Sequence, residues 1–134
     1  MIISYVDYTD LYYSQIAHQP VPAVVRGKFV QIRKEDALYL VFSPRDFTKY
    51  HANIVERFCM DKGIEGNYDR EGAKFIVADR AWQVIGGGTF ERDGARKVLR
   101  LSDNSLAYGK FRKEGLRESV GALTELAGFE LQIM

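Results

Sequence analysis

Strand-forming segments recur along the whole chain, and this distribution limits the possible folds more than any other feature of the sequence. Each segment is rich in β-branched and aromatic residues, and typical turn residues such as Lys34-Glu35-Asp36 and Asp93-Gly94 separate several of them. The predicted strands are 2–8, 21–33, 38–42, 73–77, 82–91, 97–101 and 129–133. A chain with this pattern is expected to form one sheet of about six or more strands.

Helical spacing of apolar residues occurs mainly in two stretches between the strands. The first stretch places on one helical face Phe47, Tyr50, Ile54, Val55 and Phe58. Its helix ends at Asp61-Lys62-Gly63, and two starting points are compatible with the sequence. Either Ser43 is the N-cap and Pro44 lies in the first turn, or segment 44–49 is only a turn and the helix begins near Tyr50.

The second helical stretch lies close to the end of the chain and stops at Gly128. Its apolar residues at helical spacing are Leu116, Val120, Leu123 and Ala127. A shorter helical pattern within 9–22 is ended by Pro20 and Pro22. With 134 residues and no internal repeat or linker, the chain is expected to be one α/β or α+β domain, 1–134, with two main helices.

Charge and cysteine content exclude several classes of function. There are 19 Lys and Arg against 18 Asp and Glu, and this balance argues against a general nucleic-acid or membrane-surface binder. A single cysteine, Cys59, and two histidines give neither a disulfide framework nor an ordinary zinc site. We therefore predict no metal and no cofactor. The sequence shows no signal peptide and no transmembrane segment, so we predict a cytoplasmic protein.

His51 is the side chain best suited to acid–base chemistry, since the pKa of a free imidazole lies near physiological pH. It falls close to the apolar face of the first helix. It is therefore either a core histidine that is hydrogen-bonded to a backbone carbonyl or a general base or nucleophile. If the helix begins near Tyr50, His51 also lies where exposed N–H groups favour an anion. Cys59 is expected to be a small buried hydrophobic residue.

Two glycine-containing segments are unusual for their positions. The triple glycine, Gly86-Gly87-Gly88, lies inside a predicted strand, so it marks either a bulge or a backbone left bare for close packing. The serine loop, Ser105-Leu106-Ala107-Tyr108-Gly109, joins a strand to a helix. It is either a solvated connection or a loop whose N–H groups form an anion-binding nest.

Three motifs in this order resemble the signature of the Janus/Ocnus family, the small phosphohistidine phosphatases. They are Tyr50-His51-Ala52-Asn53-Ile54, the triple glycine and the serine loop. The family has a similar histidine segment with aspartate at the position of Asn53, a triple glycine and a similar serine loop. The resemblance covers 38–133, apart from an additional hairpin expected at 67–79.

The resemblance implies a mixed sheet flanked by two helices, and a phosphatase that acts on phosphohistidine without a metal. His51 is then the catalytic residue, as general base or nucleophile. The phosphate-binding residues are Ala52, through its N–H, and Ser105, Leu106 and Ala107. We accordingly predict that His51 and Ser105 lie within one phosphate diameter of each other.

Further expectations concern a cation and the partners. The family has a phosphate-contacting lysine in an early strand, and here Lys28, Lys34 and Arg45 are the alternatives. The expected partner is a phosphohistidine-containing protein or a small phosphoramidate, bound by a monomer, with no nucleic acid and no membrane involved. The alternative function is a non-catalytic module that binds a phosphorylated ligand on the same fold.

Overall fold

In the computed structural model, which describes residues 2–134, the chain folds into eight strands and three α-helices. The strands are β1 Ile2–Asp7, β2 Val24–Lys34, β3 Ala37–Pro44, β4 Gly66–Tyr68, β5 Phe75–Val77, β6 Trp82–Asp93, β7 Val98–Ser102 and β8 Glu130–Ile133. The helices are α1 Thr9–Gln15, α2 His51–Lys62 and α3 Leu116–Gly121, and a short 3-10 helix follows at Thr124–Leu126. No helix within residues 2–134 is long and apolar enough to cross a bilayer.

Six of the strands form one mixed sheet in the order β1-β3-β2-β6-β7-β8. The pairs β1–β3 and β7–β8 are parallel, and the three central pairings are antiparallel. Strands β4 and β5 form a separate two-stranded hairpin, as expected for 67–79. The predicted α/β fold, with a mixed sheet of about six strands and two main helices, is confirmed.

The sheet carries an apolar core on each face because neighbouring residues of a strand point to opposite sides. In β2, Phe29 belongs to the core that α3 covers, and Val30 belongs to the core that α2 covers. The α2 core includes Ile54 and Phe58, and both are fully buried. Burial of such a side chain stabilises the fold by about 1.5–3 kcal/mol, so α2 is held firmly against the sheet that faces it.

Helix α2 begins at His51, which confirms the later of the two predicted starting points. Ser43 is not an N-cap, because Ser43 and Pro44 continue strand β3. The Pro44 carbonyl accepts the N–H groups of Phe47 and Thr48 and closes a turn. The Ser43 and Thr48 hydroxyls are buried together, 2.5 Å apart. This turn places the first residue of α2 beside the centre of the sheet.

The second predicted helix is shorter than its apolar spacing indicates. Its α-helical part ends at Gly121, where the Ala122 N–H donates to the Glu118 and Ser119 carbonyls and tightens the last turn. Leu123 then has extended backbone angles, so the remaining residues form a 3-10 turn. Consequently Leu126 is buried and Ala127 is exposed, so the predicted place of Ala127 on the apolar face is wrong.

Candidate functional site

The triple glycine lies in β6, directly opposite the middle of β2. Gly86 pairs with Gln31 and Val84 pairs with Ile32, so Ile85 has no partner and the strand bulges. The bulge thus lies at Ile85, next to the triple glycine, while the three glycines themselves pair in register with β2. The bulge does not explain the three glycines, whose bare backbone allows other groups to approach the strand closely.

Gly87 lies where the His51 ring of helix α2 packs against β6. A Cβ atom at Gly87 would lie 2.6 Å from the Phe29 carbonyl oxygen and 3.0 Å from His51 Cδ2. On the same strand, a Cβ at Gly86 would lie 2.4 Å from the Lys110 carbonyl oxygen. Real Cβ contacts are essentially never shorter than 3.0 Å. The bare backbone is thus what lets the imidazole and the segment after the serine loop lie against β6.

The imidazole of His51 is fixed by one hydrogen bond to this strand. Its Nε2 lies 2.8 Å from the carbonyl oxygen of Gly88, and the residue is 7% exposed. A carbonyl oxygen can only accept, so Nε2 carries a proton. In the neutral ring the other nitrogen, Nδ1, then has a free lone pair. His51 is therefore hydrogen-bonded to a backbone carbonyl, as expected of a core histidine, and it also keeps the basic nitrogen that a general base or nucleophile needs.

Burial lowers the pKa of His51, since desolvation penalises the imidazolium form. The positive charge of Lys28 lowers the pKa further, while the hydrogen bond to the Gly88 carbonyl acts in the opposite direction. The net direction is downward. Near neutral pH the ring is accordingly uncharged, which is the form that can accept a proton.

The lowered pKa of His51 predicts that folding stability decreases in mild acid. The unfolded chain takes up a proton on this histidine at pH values around 6.5 and below, whereas the folded protein does so only at lower pH. The free energy of unfolding should therefore fall as the pH is lowered through this range, until the folded state is protonated too. Urea unfolding between pH 7.5 and pH 5 measures the slope. His51→Gln should show a smaller slope, and an equal slope would assign the effect to other groups.

The serine loop is closed by hydrogen bonds between its two ends. Ser105 and Gly109 exchange N–H to carbonyl bonds of 3.1 and 2.7 Å, and the Ser105 Oγ accepts the Tyr108 N–H. Ser105 is buried, and its own N–H is already bonded to the Gly109 carbonyl oxygen. In residues 2–134 no hydrogen bond engages the N–H of Leu106 or Ala107. The loop thus leaves those two donors available.

Most of the predicted site residues line one pocket, called here the site pocket. Its volume is about 770 Å³, and its lining includes His51 and Ala52 from α2, Leu106 and Ala107 from the serine loop, and Lys28 from β2. The first N–H groups of a helix have no acceptor within it, so those of His51 and Ala52 are also available. Ser105 is not among the lining residues. Its closeness to His51 stays a prediction.

Of the three cations considered from the sequence, Lys28 is the one that lines the site pocket. Lys34 instead lies over the indole ring of Trp82, 5.0 Å from the ring centre. Arg45 lines a neighbouring groove, which also has Lys28 on its wall. A second lysine, Lys49, borders the site pocket and was not identified from the sequence. The pocket therefore has two cationic side chains.

The β4–β5 hairpin supplies a wall of the site pocket that the sequence analysis did not identify. Gly72 and Ala73, at the hairpin tip, are among the lining residues. The hairpin is tied to the serine loop because the Tyr108 hydroxyl donates to the Phe75 carbonyl oxygen and accepts the Phe75 N–H, at 2.9 and 2.8 Å. Tyr108 was visible in the motif, but nothing in the sequence indicates its partner.

Asn53 ties the hairpin to helix α2 with an amide that aspartate could not replace. Its Oδ1 accepts the Tyr50 N–H at the start of the helix, and its Nδ2 donates to the Tyr68 hydroxyl at 2.9 Å. The Tyr68 hydroxyl donates its single proton in a hydrogen bond to the Glu56 carboxylate. A carboxylate at position 53 would therefore face the Tyr68 oxygen with no proton between them.

Asn53→Asp is accordingly expected to lower the free energy of unfolding by about 1 kcal/mol, the usual contribution of one hydrogen bond. Asn53→Asp should cost less in a Tyr68→Phe background than in the parent protein, because the opposed oxygen is already absent there. Thermal unfolding of the single and double variants measures this. An Asn53→Asp protein as stable as the parent would contradict the role of the amide.

Among residues 2–134, neither Cys59 nor any acidic residue lines the site pocket. Cys59 is buried in the α2 core, and burial raises the pKa of its thiol to about 11, so it is protonated at neutral pH. This agrees with the prediction of a small buried hydrophobic residue. Within residues 2–134, no three His, Cys, Asp or Glu side chains lie close enough together to hold a metal ion.

No protein-family model and no curated protein matches the chain. The resemblance to the Janus/Ocnus family therefore stays a prediction from the three motifs.

Proposed function

We propose that this protein is a phosphatase that hydrolyses phosphohistidine or a related phosphoramidate, without a metal ion. The observation that carries the proposal is the placement of His51. A buried imidazole with a lowered pKa borders the same pocket as Lys28 and the N–H-bearing residues of the serine loop. A neutral base and a set of anion-binding groups around one cavity are what phosphoryl hydrolysis requires.

The phosphoryl group is expected to bind where α2 and the serine loop meet. The available N–H groups belong to His51 and Ala52 on one side and to Leu106 and Ala107 on the other. The helix dipole adds positive potential at the beginning of α2. Ser105 contributes by holding the loop closed through its Oγ and its backbone. Lys28 supplies a full positive charge at the same pocket.

The reaction follows from the free lone pair on His51 Nδ1. As a general base, Nδ1 takes a proton from water while the water oxygen bonds to phosphorus and the P–N bond breaks. The departing imidazole of the substrate keeps the bonding electron pair and takes up one proton from solvent, while His51 returns its extra proton to solvent, which leaves inorganic phosphate and histidine. As a nucleophile, Nδ1 would bond to phosphorus while the substrate P–N bond breaks, and the substrate histidine would leave with the electron pair and a proton from solvent. In a second step water would attack the phosphorus, break its bond to Nδ1 and release inorganic phosphate. The positive groups stabilise the charge on the equatorial oxygens in both cases.

The size and lining of the pocket favour a ligand with an organic part. A volume of about 770 Å³ far exceeds one phosphate ion, and Leu106 at its edge is fully exposed. An exposed apolar side chain beside a cationic pocket suits a phosphoryl group carried on an amino-acid side chain. The proposed partner is therefore a phosphohistidine-containing protein or a small phosphoramidate. A cytoplasmic location and a monomeric state belong to the same proposal.

The test is release of inorganic phosphate by the purified protein from phosphohistidine and from phospholysine, with p-nitrophenyl phosphate as an oxygen-ester comparison. We expect hydrolysis of the P–N substrates above the spontaneous rate, at an undiminished rate in the presence of a chelator. Phosphate release from none of the three compounds would overturn the proposal.

The same preparation separates the alternative, a non-catalytic module that binds a phosphorylated ligand. Calorimetric titration with inorganic phosphate and with a non-hydrolysable phosphohistidine analogue measures binding alone. Binding without turnover would assign the protein to this second class. Turnover that His51→Gln abolishes, while the variant still binds the analogue, would exclude it.

A further inference from the structure

We propose that a groove on the other side of Lys28 binds acidic residues that flank the phosphohistidine of a protein substrate. The inference rests on the proposed function and specifies its substrate class. The groove, called here the basic groove, has a volume of about 360 Å³ and is walled by residues from β2, β6 and β7 and by Arg45 after β3. Lys28 belongs to its lining and to that of the site pocket, so the two cavities adjoin across this side chain.

The charges of the basic groove do not cancel. Four cations line it, Arg26, Lys28, Arg45 and Arg100, against two carboxylates, Glu91 and Asp103. The Glu91 carboxylate pairs with Arg26 at 2.8 Å and with Arg100 at 3.5 Å. The Asp103 carboxylate accepts the Thr89 hydroxyl.

The two remaining cations, Lys28 and Arg45, form no ion pair with any residue of the described range 2–134. The nearby Lys49 forms none within this range either. Arg45 is exposed, and the carboxylate adjacent to it in sequence, Asp46, is exposed as well and does not line the groove. These three cations border two adjoining cavities, in a chain whose formal net charge is only +1. An excess of positive charge is thus concentrated beside the phosphoryl site.

The arrangement suits an acidic peptide better than a nucleic acid. Glu91 and Asp103 lie in the groove and would repel a continuous line of phosphates, whereas separate carboxylates can contact Lys28 and Arg45 individually. Nucleic-acid binding also calls for a wider basic surface than two small cavities provide. An extended peptide with its phosphohistidine in the site pocket can place a neighbouring carboxylate in the basic groove, because the cavities share a wall.

The experiment compares two nonapeptides, each with phosphohistidine at its centre, one with two glutamates at each end and one with glutamines in their place. We expect kcat/KM to be about five-fold or more higher for the acidic peptide in low salt, a ratio that falls as salt is added. Arg45→Gln should reduce this preference several-fold. It should leave hydrolysis of phosphoramidate, which is too small to reach the groove, unchanged.

Arg96→Gln is the matched control, since Arg96 is an exposed arginine that pairs with Asp93 and does not line the groove. This variant loses the same charge and should keep the full preference. Equal kcat/KM for the two peptides, or equal effects of the two substitutions, would overturn the docking inference while phosphoramidate hydrolysis upholds the proposed function.

Fluorescence anisotropy with the unphosphorylated peptides gives a measure that needs no turnover. Arg45-dependent binding of the acidic peptide in a protein that hydrolyses nothing would support the groove and refute the phosphatase. Equal binding of the acidic and neutral peptides by such a protein would refute both. A single-stranded RNA oligonucleotide that displaces the acidic peptide at a lower concentration would show that the groove serves nucleic acid and would overturn the inference.

Discussion

His51→Gln is expected to lower phosphohistidine hydrolysis at least about 100-fold, the usual contribution of a general base, while the protein stays folded. The glutamine Nε2–H₂ can donate to the Gly88 carbonyl oxygen, as the imidazole Nε2–H does at 2.8 Å. The amide has no basic nitrogen to take the place of Nδ1. Rates of phosphate release and melting temperatures from one preparation give both quantities.

His51→Ala is the companion variant, because it removes the base and the hydrogen-bond donor together. The Gly88 carbonyl then loses its partner in a buried position, which costs about 1–3 kcal/mol. Both variants should be inactive, and only the alanine variant should melt at a clearly lower temperature. A glutamine variant with normal turnover would end the catalytic assignment of His51. Equal melting temperatures would contradict the structural role of its hydrogen bond.

Gly87→Ala is expected to destabilise the protein by about 1–3 kcal/mol, as overpacking of a tight interior does. The added methyl group would lie 2.6 Å from the Phe29 carbonyl oxygen, which the β2–β6 pairing holds in place. It would also press on the His51 ring from 3.0 Å, so the activity of the folded protein should fall as well. Chemical denaturation measures the first effect, and hydrolysis per folded molecule measures the second.

Gly121→Ala is the matched control for this substitution. Gly121 is the last residue of α3, and a Cβ there meets no atom within 4 Å. Alanine has the higher helix propensity, so this variant should be as stable as the parent or more stable by up to about 1 kcal/mol. Similar losses from the two substitutions would show that the contacts of Gly87 are unimportant.

The fold could be predicted from the sequence wherever local chemistry decides the structure. Alternation of apolar and polar residues indicates the strands, and Asp93-Gly94 indicates a hairpin turn. The spacing of apolar residues in α2 indicates a helix. The errors occur where tertiary contacts decide. Ser43 has the chemistry of an N-cap but extends β3, and Ala127 has helical spacing but follows a helix that had already ended.

The site, too, has parts that the sequence predicts and parts that depend on tertiary contacts. The motifs indicated His51 and the serine loop, because unusual residues in unusual places are visible in a sequence. Contacts between distant segments were not visible in the sequence. They include the packing of the His51 ring against Gly87 and the hydrogen bonds between the Tyr108 hydroxyl and the Phe75 backbone. Lys49 and the hairpin tip were missed because single lysines and small residues carry no local signal.

The pairing of β2 with β6 also has a consequence for when the proposed activity would appear during folding. Between these strands the chain contains β3, α2 and the β4–β5 hairpin, so their pairing must close a long loop. Closure of long loops is entropically costly and slows the formation of such contacts. The Gly88 carbonyl that orients the imidazole is in place only after this closure. The proposed phosphatase activity should therefore return late during refolding, after the α2 helical signal in circular dichroism, and no fragment lacking β6 should have it.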